Sequence, residues 1–284
     1  MSRLWRASNA ASAVFLAVSA CASPPELAHD GPSKLASPSA SAAHPLVPNA
    51  ASSSAPRAHL PPLTGVPWLS ALPMPPGRNA VVAVPLGATT PRPVVVAVHG
   101  AGDRPEWACG GWRIATNEHA FVVCPGGLPT GGVFVTAPSA RLEADIDAAL
   151  ASLRARHGDH VASGKVIYAG FSLGAIRAPA VLASSSHFSA AVLLEGGYEL
   201  WSAGAANAFR EHGGERALLM CAGRSCGQFA AAAGHLRRAG IEVSVGSAGT
   251  GRHNLDAEMM QRLRAAWPFV VAGDARWAGW DGAR

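Results

Sequence analysis

The sequence has 284 residues, of which 49% are hydrophobic and 14% are charged. A chain of this length and apolar content is sufficient for one substantial core, so we expect a single folded domain. The formal net charge is +5, but the arginines are scattered rather than concentrated in a stripe. This distribution argues against a nucleic-acid-binding protein, because such proteins require clustered positive charge.

The N-terminal residues 1–20 have the features of a secretory signal peptide. Arg3 and Arg6 precede a short apolar segment at residues 10–18, which is too short to span a membrane as a helix. This segment leads into the sequence Val-Ser-Ala-Cys ending at Cys21, which resembles the lipobox of bacterial lipoproteins. The alternative is an ordinary signal peptide with a coincidental cysteine. The lipobox predicts lipidation at Cys21 and an exported protein anchored to the bacterial membrane, facing the periplasm or the cell surface.

The segment 21–60 is rich in Ser, Ala and Pro and contains few large apolar residues. Such a composition buries too little apolar surface to offset the entropy lost on ordering. We therefore predict a flexible, lipid-anchored linker that connects Cys21 to a folded domain at residues 61–284.

From about residue 78, short β-branched runs alternate with alanine-rich helical stretches. The strands are predicted at 80–85, 94–98, 120–124, 165–169, 189–194, 217–221 and 241–245, and the helices at 106–119, 139–157, 173–185, 201–212, 228–239 and 255–266. Nearly continuous apolar strands are typical of parallel sheets that are buried on both faces. We predict an α/β fold with a mostly parallel sheet, helices on both faces, and functional residues at the carboxyl ends of the strands.

A glycine-rich segment, His-Gly-Ala-Gly-Asp at 99–103, follows the strand at 94–98. It resembles the His-Gly segment after the third strand of α/β-hydrolases, whose backbone amides help to form the oxyanion hole. The resemblance implies an amide donor at Ala101 or Gly102, and the sequence does not choose between them. His99 is expected to support this loop rather than to act as a base. A purely structural or phosphate-binding type of turn is the alternative.

The four cysteines that remain after Cys21 allow three pairings. Their spacing favours one disulfide between Cys109 and Cys124 and another between Cys221 and Cys226. A metal site is the competing interpretation, but no second ligand pair of suitable spacing accompanies the latter two cysteines. We therefore predict two disulfides and no metal.

The pentapeptide Gly-Phe-Ser-Leu-Gly at 170–174 lies between a predicted strand and an alanine-rich helix. This arrangement is similar to the nucleophile elbow of α/β-hydrolases, in which the serine occupies a tight turn flanked by glycines. It implies that Ser172 is the nucleophile and that the Leu173 amide is the second oxyanion donor. The alternative is a chance turn in a chain with 31 glycines.

His253 lies in the loop after the last predicted strand. The hydrolase order of nucleophile, acid and base places the catalytic histidine there, so the resemblance implies that His253 takes the Ser172 proton. The alternative is a solvent-facing residue at the start of a helix.

The carboxylate that would complete the site with Ser172 and His253 is missing from its usual position in the sequence. Most members of the superfamily carry an aspartate shortly after the seventh strand, but residues 222–227 contain no carboxylate. Glu195, which follows the strand at 189–194 directly, is the preferred substitute, because it could orient the imidazole of His253. Glu199 and Asp256 are less favoured candidates, and a site without an acid remains open.

The resemblance covers roughly residues 78–270. Over this range the sequence is similar to the small extracellular α/β-hydrolases that include carboxylesterases and polyester depolymerases. It implies hydrolysis of a small-molecule or polymeric ester through an acyl-enzyme, without a cofactor. Residues 198–214 have room for one helix, which predicts a minimal cap and an open site. Two alternatives are a catalytically inactive surface lipoprotein that binds a ligand or partner, and a peptidase on the same fold.

Overall fold

The computed structural model describes residues 59–75, 78–130, 133–222, 226–247, 253 and 255–282. The predicted signal peptide, Cys21 and nearly all of the linker lie outside these residues. None of the described helices is long and apolar enough to cross a membrane. The strands are β1 (Leu69–Met74), β2 (Arg78–Ala83), β3 (Val94–Val98), β4 (Phe121–Pro125), β5 (Leu128–Thr130), β6 (Val133–Val135), β7 (Val166–Phe171), β8 (Phe188–Leu194), β9 (Arg216–Cys221) and β10 (Glu242–Ser247). The α-helices are α1 (Pro105–Ala115), α2 (Ser139–His157), α3 (Leu173–Ser184), α4 (Ala203–Glu211), α5 (Cys226–Arg238) and α6 (Ala257–Val270).

Eight of the strands form one sheet in the order β1-β2-β4-β3-β7-β8-β9-β10. The pairs β1–β2 and β2–β4 are antiparallel, and the other pairs in this sheet are parallel. The six parallel strands therefore direct their carboxyl ends to one edge of the sheet. The loops after β3, β7, β8, β9 and β10 all leave from this edge, which we call the carboxyl edge.

The sheet is buried on both faces because alternate residues of each strand enter different cores. In β3, for example, Val94, Val96 and Val98 join the core that contains α2, α3, α4 and α5. Val95 and Ala97 join the opposite core, which contains α1 and α6. The predicted mostly parallel sheet with helices on both faces is confirmed.

Several element boundaries differ from the predictions. β1 was not predicted, because Pro73 and the prolines near it disguise an edge strand, where a missing N–H is tolerated. The ribbon of β5 and β6 was also missed because each strand has only three residues. Helix α6 continues to Val270 with Pro268 inside it, although the proline predicted an earlier end.

The two disulfides have the predicted connectivity. Cys109 in α1 is bonded to Cys124 in β4, with a Cα–Cα distance of 5.8 Å. Cys221 at the end of β9 is bonded to Cys226 at the start of α5, with a Cα–Cα distance of 5.0 Å. Each bridge thus joins a sheet strand to a helix beside it.

The segment after α6 packs on the body of the domain. Trp277 is 4% exposed and stacks on the His119 ring at a centroid distance of 5.3 Å. The Trp280 indole N–H donates to the Thr116 carbonyl at 2.8 Å. These contacts attach the segment to the turn between α1 and β4.

Candidate active site

Ser172 lies in a strained turn between β7 and α3. Its backbone has φ 51° and ψ −117°, a conformation that a residue with a side chain rarely adopts. A Cβ atom at Gly170 would lie 2.8 Å from the Ala175 nitrogen, and one at Gly174 would collide with the Val98 carbonyl. Both glycines are therefore required by close packing, which explains the Gly-x-Ser-x-Gly pattern and agrees with a nucleophile elbow.

A buried tyrosine supports the elbow from beneath. The Tyr168 hydroxyl donates to the Gly174 carbonyl at 2.7 Å. Complete burial raises the pKa of Tyr168 far above its usual range, so the hydroxyl remains a protonated donor. The sequence predicted Tyr168 only as a strand residue, since nothing in an apolar run marks a hydroxyl that contacts the next helix.

Ser172 and His253 are in direct contact. The Ser172 Oγ lies 2.7 Å from the His253 Nε2, which is a hydrogen-bond distance. The His253 ring packs against the Phe171 ring with a centroid distance of 5.1 Å and an interplanar angle of 34°. The side chain of His253 is 56% exposed, so its imidazole remains accessible from solvent. Phe171 is a site residue that the sequence did not single out, because its position in the pentapeptide accepts any side chain.

Glu195 lies on the other side of the same imidazole. Its Oε2 is 3.5 Å from the His253 Nδ1, within ion-pair distance but longer than an ordinary hydrogen bond. Its side chain is 7% exposed, and its Oε1 has no hydrogen-bond partner among the described residues. Glu195 also has a positive φ of 56°, and its N–H donates to the Met220 carbonyl of β9 at 2.9 Å. The backbone thus holds a buried carboxylate beside the ring.

Two glycines let the Glu195 loop approach the elbow. A Cβ atom at Gly196 would lie 2.6 Å from the Ser172 carbonyl oxygen, and one at Gly197 would collide with the Ala175 carbonyl. A larger residue at either position would displace the loop from α3. The Glu-Gly-Gly sequence after β8 therefore positions the carboxylate through close packing as well as through the strand.

The other two carboxylates considered from the sequence have different partners. The Asp256 carboxylate caps α6 by accepting from the Met259 N–H at 2.9 Å. The Glu199 carboxylate beside the Tyr198 hydroxyl raises the pKa of that phenol. Neither contact orients the His253 ring, so Glu195 is the carboxylate that the fold brings to it.

The predicted oxyanion residues lie at the start of α3 and in the turn after β3. Leu173 is the first residue of α3, and Ala101 and Gly102 are exposed in the turn between β3 and α1. A Cβ atom at Gly100 would lie 3.3 Å from the Ser172 Cβ, so the glycine allows this turn to contact the elbow. The buried His99 supports the turn, because its ring bonds the Gly100 carbonyl.

Within the described residues, no group of three or more His, Cys, Asp or Glu side chains is placed to hold a metal ion. The corner after β9, where most α/β-hydrolases carry an aspartate, begins with the half-cystine Cys221. Ser172, His253 and Glu195 thus bring a hydroxyl, an imidazole and a carboxylate together at the start of α3.

No family model and no curated protein matches the sequence. Among solved structures, the chain is similar to a putative dienelactone hydrolase from Klebsiella pneumoniae subsp. pneumoniae MGH 78578, with 20% identity, a TM-score of 0.54, and coverage of 72% of this chain and 98% of that one. It is also similar to the dienelactone hydrolase-like promiscuous phosphotriesterase P91 from metagenomic libraries, with 17% identity, a TM-score of 0.55, and coverage of 70% and 95%.

A third similar structure is the acylaminoacyl peptidase of Pyrococcus horikoshii, with 13% identity and a TM-score of 0.51. The alignment covers 71% of this chain and 40% of the peptidase, so the chain matches about two fifths of that protein's length. Together with the strand order, these similarities show that the domain has the α/β-hydrolase fold.

Proposed function

We propose that the protein is a serine hydrolase that cleaves carboxylic esters through an acyl-enzyme at Ser172. The observation that carries this proposal is the 2.7 Å contact between the Ser172 Oγ and the His253 Nε2 at a strained turn on the carboxyl edge. A serine is a weak nucleophile unless a neighbouring base accepts its proton. The buried Glu195 carboxylate, 3.5 Å from the His253 Nδ1, favours the imidazole tautomer that leaves Nε2 free to do so.

In the acylation step, the Ser172 Oγ attacks the ester carbonyl carbon while its proton moves to the His253 Nε2. The negative charge that develops on the carbonyl oxygen is stabilised by the Leu173 amide and by an amide of the turn after β3. The carbon–oxygen bond to the alcohol then breaks, and the alcohol leaves with the proton from Nε2. Glu195 stabilises the transient imidazolium.

In the deacylation step, a water molecule gives a proton to the His253 Nε2 and attacks the acyl carbon. The bond to the Ser172 Oγ breaks, the acid is released, and Oγ recovers its proton. No redox change or additional co-reactant is needed. The exposed side of His253 is compatible with water entering at this point.

The features of the site support an ester rather than a bulky peptide as the substrate. In the segment between β8 and β9, all of which the structure describes, α4 is the one α-helix, which leaves little room for a large cap at this position. Two of the similar structures are described as a putative dienelactone hydrolase and as a dienelactone hydrolase-like promiscuous phosphotriesterase, and a lactone is a cyclic ester. We therefore favour small or polymer-borne esters.

We further propose that the protein is exported and that lipidation of Cys21 anchors it to the bacterial membrane. The signal-peptide pattern and the lipobox support this proposal. The two disulfides agree with it, because structural disulfides persist mainly in oxidising compartments outside the cytosol.

The test of the enzymatic proposal is covalent labelling by a fluorophosphonate probe combined with the turnover of p-nitrophenyl esters. We expect labelling of the Ser172 peptide in the wild type, and we expect Ser172→Ala to lose both labelling and turnover. Ser163→Ala, which changes a serine before the amino end of β7 and thus away from the carboxyl edge, is the matched control and should behave as the wild type. Equal residual rates for wild type and Ser172→Ala would instead favour an inactive binding protein on the same fold.

A further inference from the structure

Two buried hydrogen bonds hold the turn between β3 and α1. The Thr136 hydroxyl donates to the His99 carbonyl at 2.7 Å, and Thr136 is 2% exposed. The His99 Nδ1 lies 2.8 Å from the Gly100 carbonyl, and His99 is 1% exposed. Because a carbonyl oxygen only accepts hydrogen bonds, Nδ1 carries the hydrogen and donates it. Two successive carbonyl groups of the turn are therefore bound from the protein interior.

These bonds also fix the direction of the next amides. In a planar trans peptide, the C=O of one residue and the N–H of the next point in opposite directions. The His99 ring therefore fixes the Ala101 N–H so that it points away from the buried imidazole. Among the described residues this N–H has no hydrogen-bond acceptor. A Cβ atom at Gly100 would lie 3.3 Å from the Ser172 Cβ, so the residue before Ala101 packs directly against the nucleophile.

The same reasoning distinguishes Ala101 from Gly102. The Gly102 N–H shares its peptide plane with the Ala101 carbonyl, and within the described part of the chain no donor binds that carbonyl. Gly102 also has a positive φ of 74° and lies exposed in the turn. An amide stabilises a developing oxyanion well only when its direction is fixed before the reaction. Ala101 meets this condition and Gly102 does not.

We propose that Thr136 and His99 are positioning residues that hold the Ala101 amide as the first oxyanion donor. The inference rests on the proposed serine hydrolase activity of Ser172. Thr136 does not touch the reacting atoms and acts through the turn. Because Thr136 directly follows β6, the β5–β6 ribbon is thereby linked to the oxyanion turn.

The test is the removal of the Thr136 hydroxyl without a change of shape. Losing an oxyanion donor lowers kcat by about 100- to 1,000-fold, so loosening one should lower it by about tenfold or more. We expect Thr136→Val to lower kcat for p-nitrophenyl esters in this way with little change in KM, and Thr136→Ser, which keeps the hydroxyl, to restore most of the rate. Thr116→Val is the matched control, because the buried Thr116 hydroxyl also donates to a carbonyl, that of Arg113 at 3.1 Å, away from the turn.

A second measurement separates oxyanion positioning from a general loss of structure. Sulfur is a weak hydrogen-bond acceptor, so a p-nitrophenyl thionoester gains little from the Ala101 amide. We expect the oxygen-to-sulfur rate ratio to fall in Thr136→Val and to remain unchanged in Thr116→Val. Equal effects of the two valine variants on kcat and on this ratio would overturn the inference. If the wild type itself neither turns over esters nor reacts with the fluorophosphonate, the proposed function fails instead.

Discussion

At the scale of single residues, the unusual feature of this site is the acid. Glu195 follows β8, whereas most α/β-hydrolases place an aspartate after the next strand in the sheet. The two positions are neighbours, because β8 and β9 are paired in parallel and Glu195 donates its N–H to the Met220 carbonyl of β9. The longer glutamate side chain can therefore approach the His253 ring from an adjacent strand end.

The role of Glu195 leads to a prediction about its charge. We expect Glu195→Gln to lower kcat/KM for p-nitrophenyl esters by about 100- to 10,000-fold, because an amide beside Nδ1 no longer enforces the active tautomer or stabilises the imidazolium. Steady-state kinetics measures this loss. Glu199→Gln serves as the control, since the Glu199 carboxylate acts on the Tyr198 phenol rather than on His253. A Glu195→Gln enzyme within twofold of the wild type would mean that Ser172 and His253 act as a dyad.

At the scale of elements, the segment after α6 depends on a neutral histidine. The His119 ring receives a hydrogen bond from the Arg92 Nη1 at 3.1 Å on its Nδ1 and donates from Nε2 to the Arg276 carbonyl at 3.1 Å. Burial lowers the pKa of His119, the Arg276 carbonyl raises it, and the positive charge of Arg92 lowers it again, with a net decrease. Protonation would remove the acceptor that faces Arg92.

This arrangement predicts a pH dependence of stability. In the unfolded chain His119 binds a proton near pH 6.5. In the folded chain its pKa is lowered, so it binds the proton only at a lower pH. The contribution of His119 is therefore complete above about pH 6.5 and decreases as the pH falls towards the folded pKa. We expect urea denaturation to show this decrease and His119→Gln to flatten it. The pKa of His157 is also lowered by burial, so part of the slope remains in the variant.

The sequence was sufficient to predict the strands that are buried on both faces and the site residues that directly follow them. Continuous apolar runs predicted β3, β7 and β8, and hence the loops that carry Ser172 and Glu195. The sequence was insufficient to predict elements and roles that depend on contacts with residues far away in the chain. The edge strand β1 gains its hydrogen bonds from β2, and Thr136 acquires its role only when the fold brings it to His99. Neither relation leaves a local pattern in the chain.

At the scale of the whole molecule, the proposed catalysis and the proposed membrane anchoring depend on different parts of the sequence. The domain contains the proposed catalytic residues, both disulfides and both cores. The proposed anchor is a single cysteine outside it. Attachment to a membrane and chemistry at Ser172 should therefore be separable by mutation.

We expect Cys21→Ser to move the exported protein from the membrane fraction to the soluble fraction, because the variant lacks the acyl chains that anchor it. The specific turnover of p-nitrophenyl esters should be unchanged. Fractionation followed by immunoblotting measures the first effect, and an assay of the purified protein measures the second. Retention of Cys21→Ser on the membrane would contradict lipid anchoring at this residue.

The left-handed backbone conformations have a consequence for the evolution and engineering of this protein. Ser172 and Glu195 are two of the four non-glycine residues with a positive φ in the described part of the chain. Each such residue stores free energy that a glycine would release, at about 1–3 kcal/mol for strained backbone. Selection for thermal stability alone would therefore favour glycine at the nucleophile and at the acid. Retention of serine and glutamate at these two positions identifies lineages in which catalysis, and not merely the scaffold, is under selection.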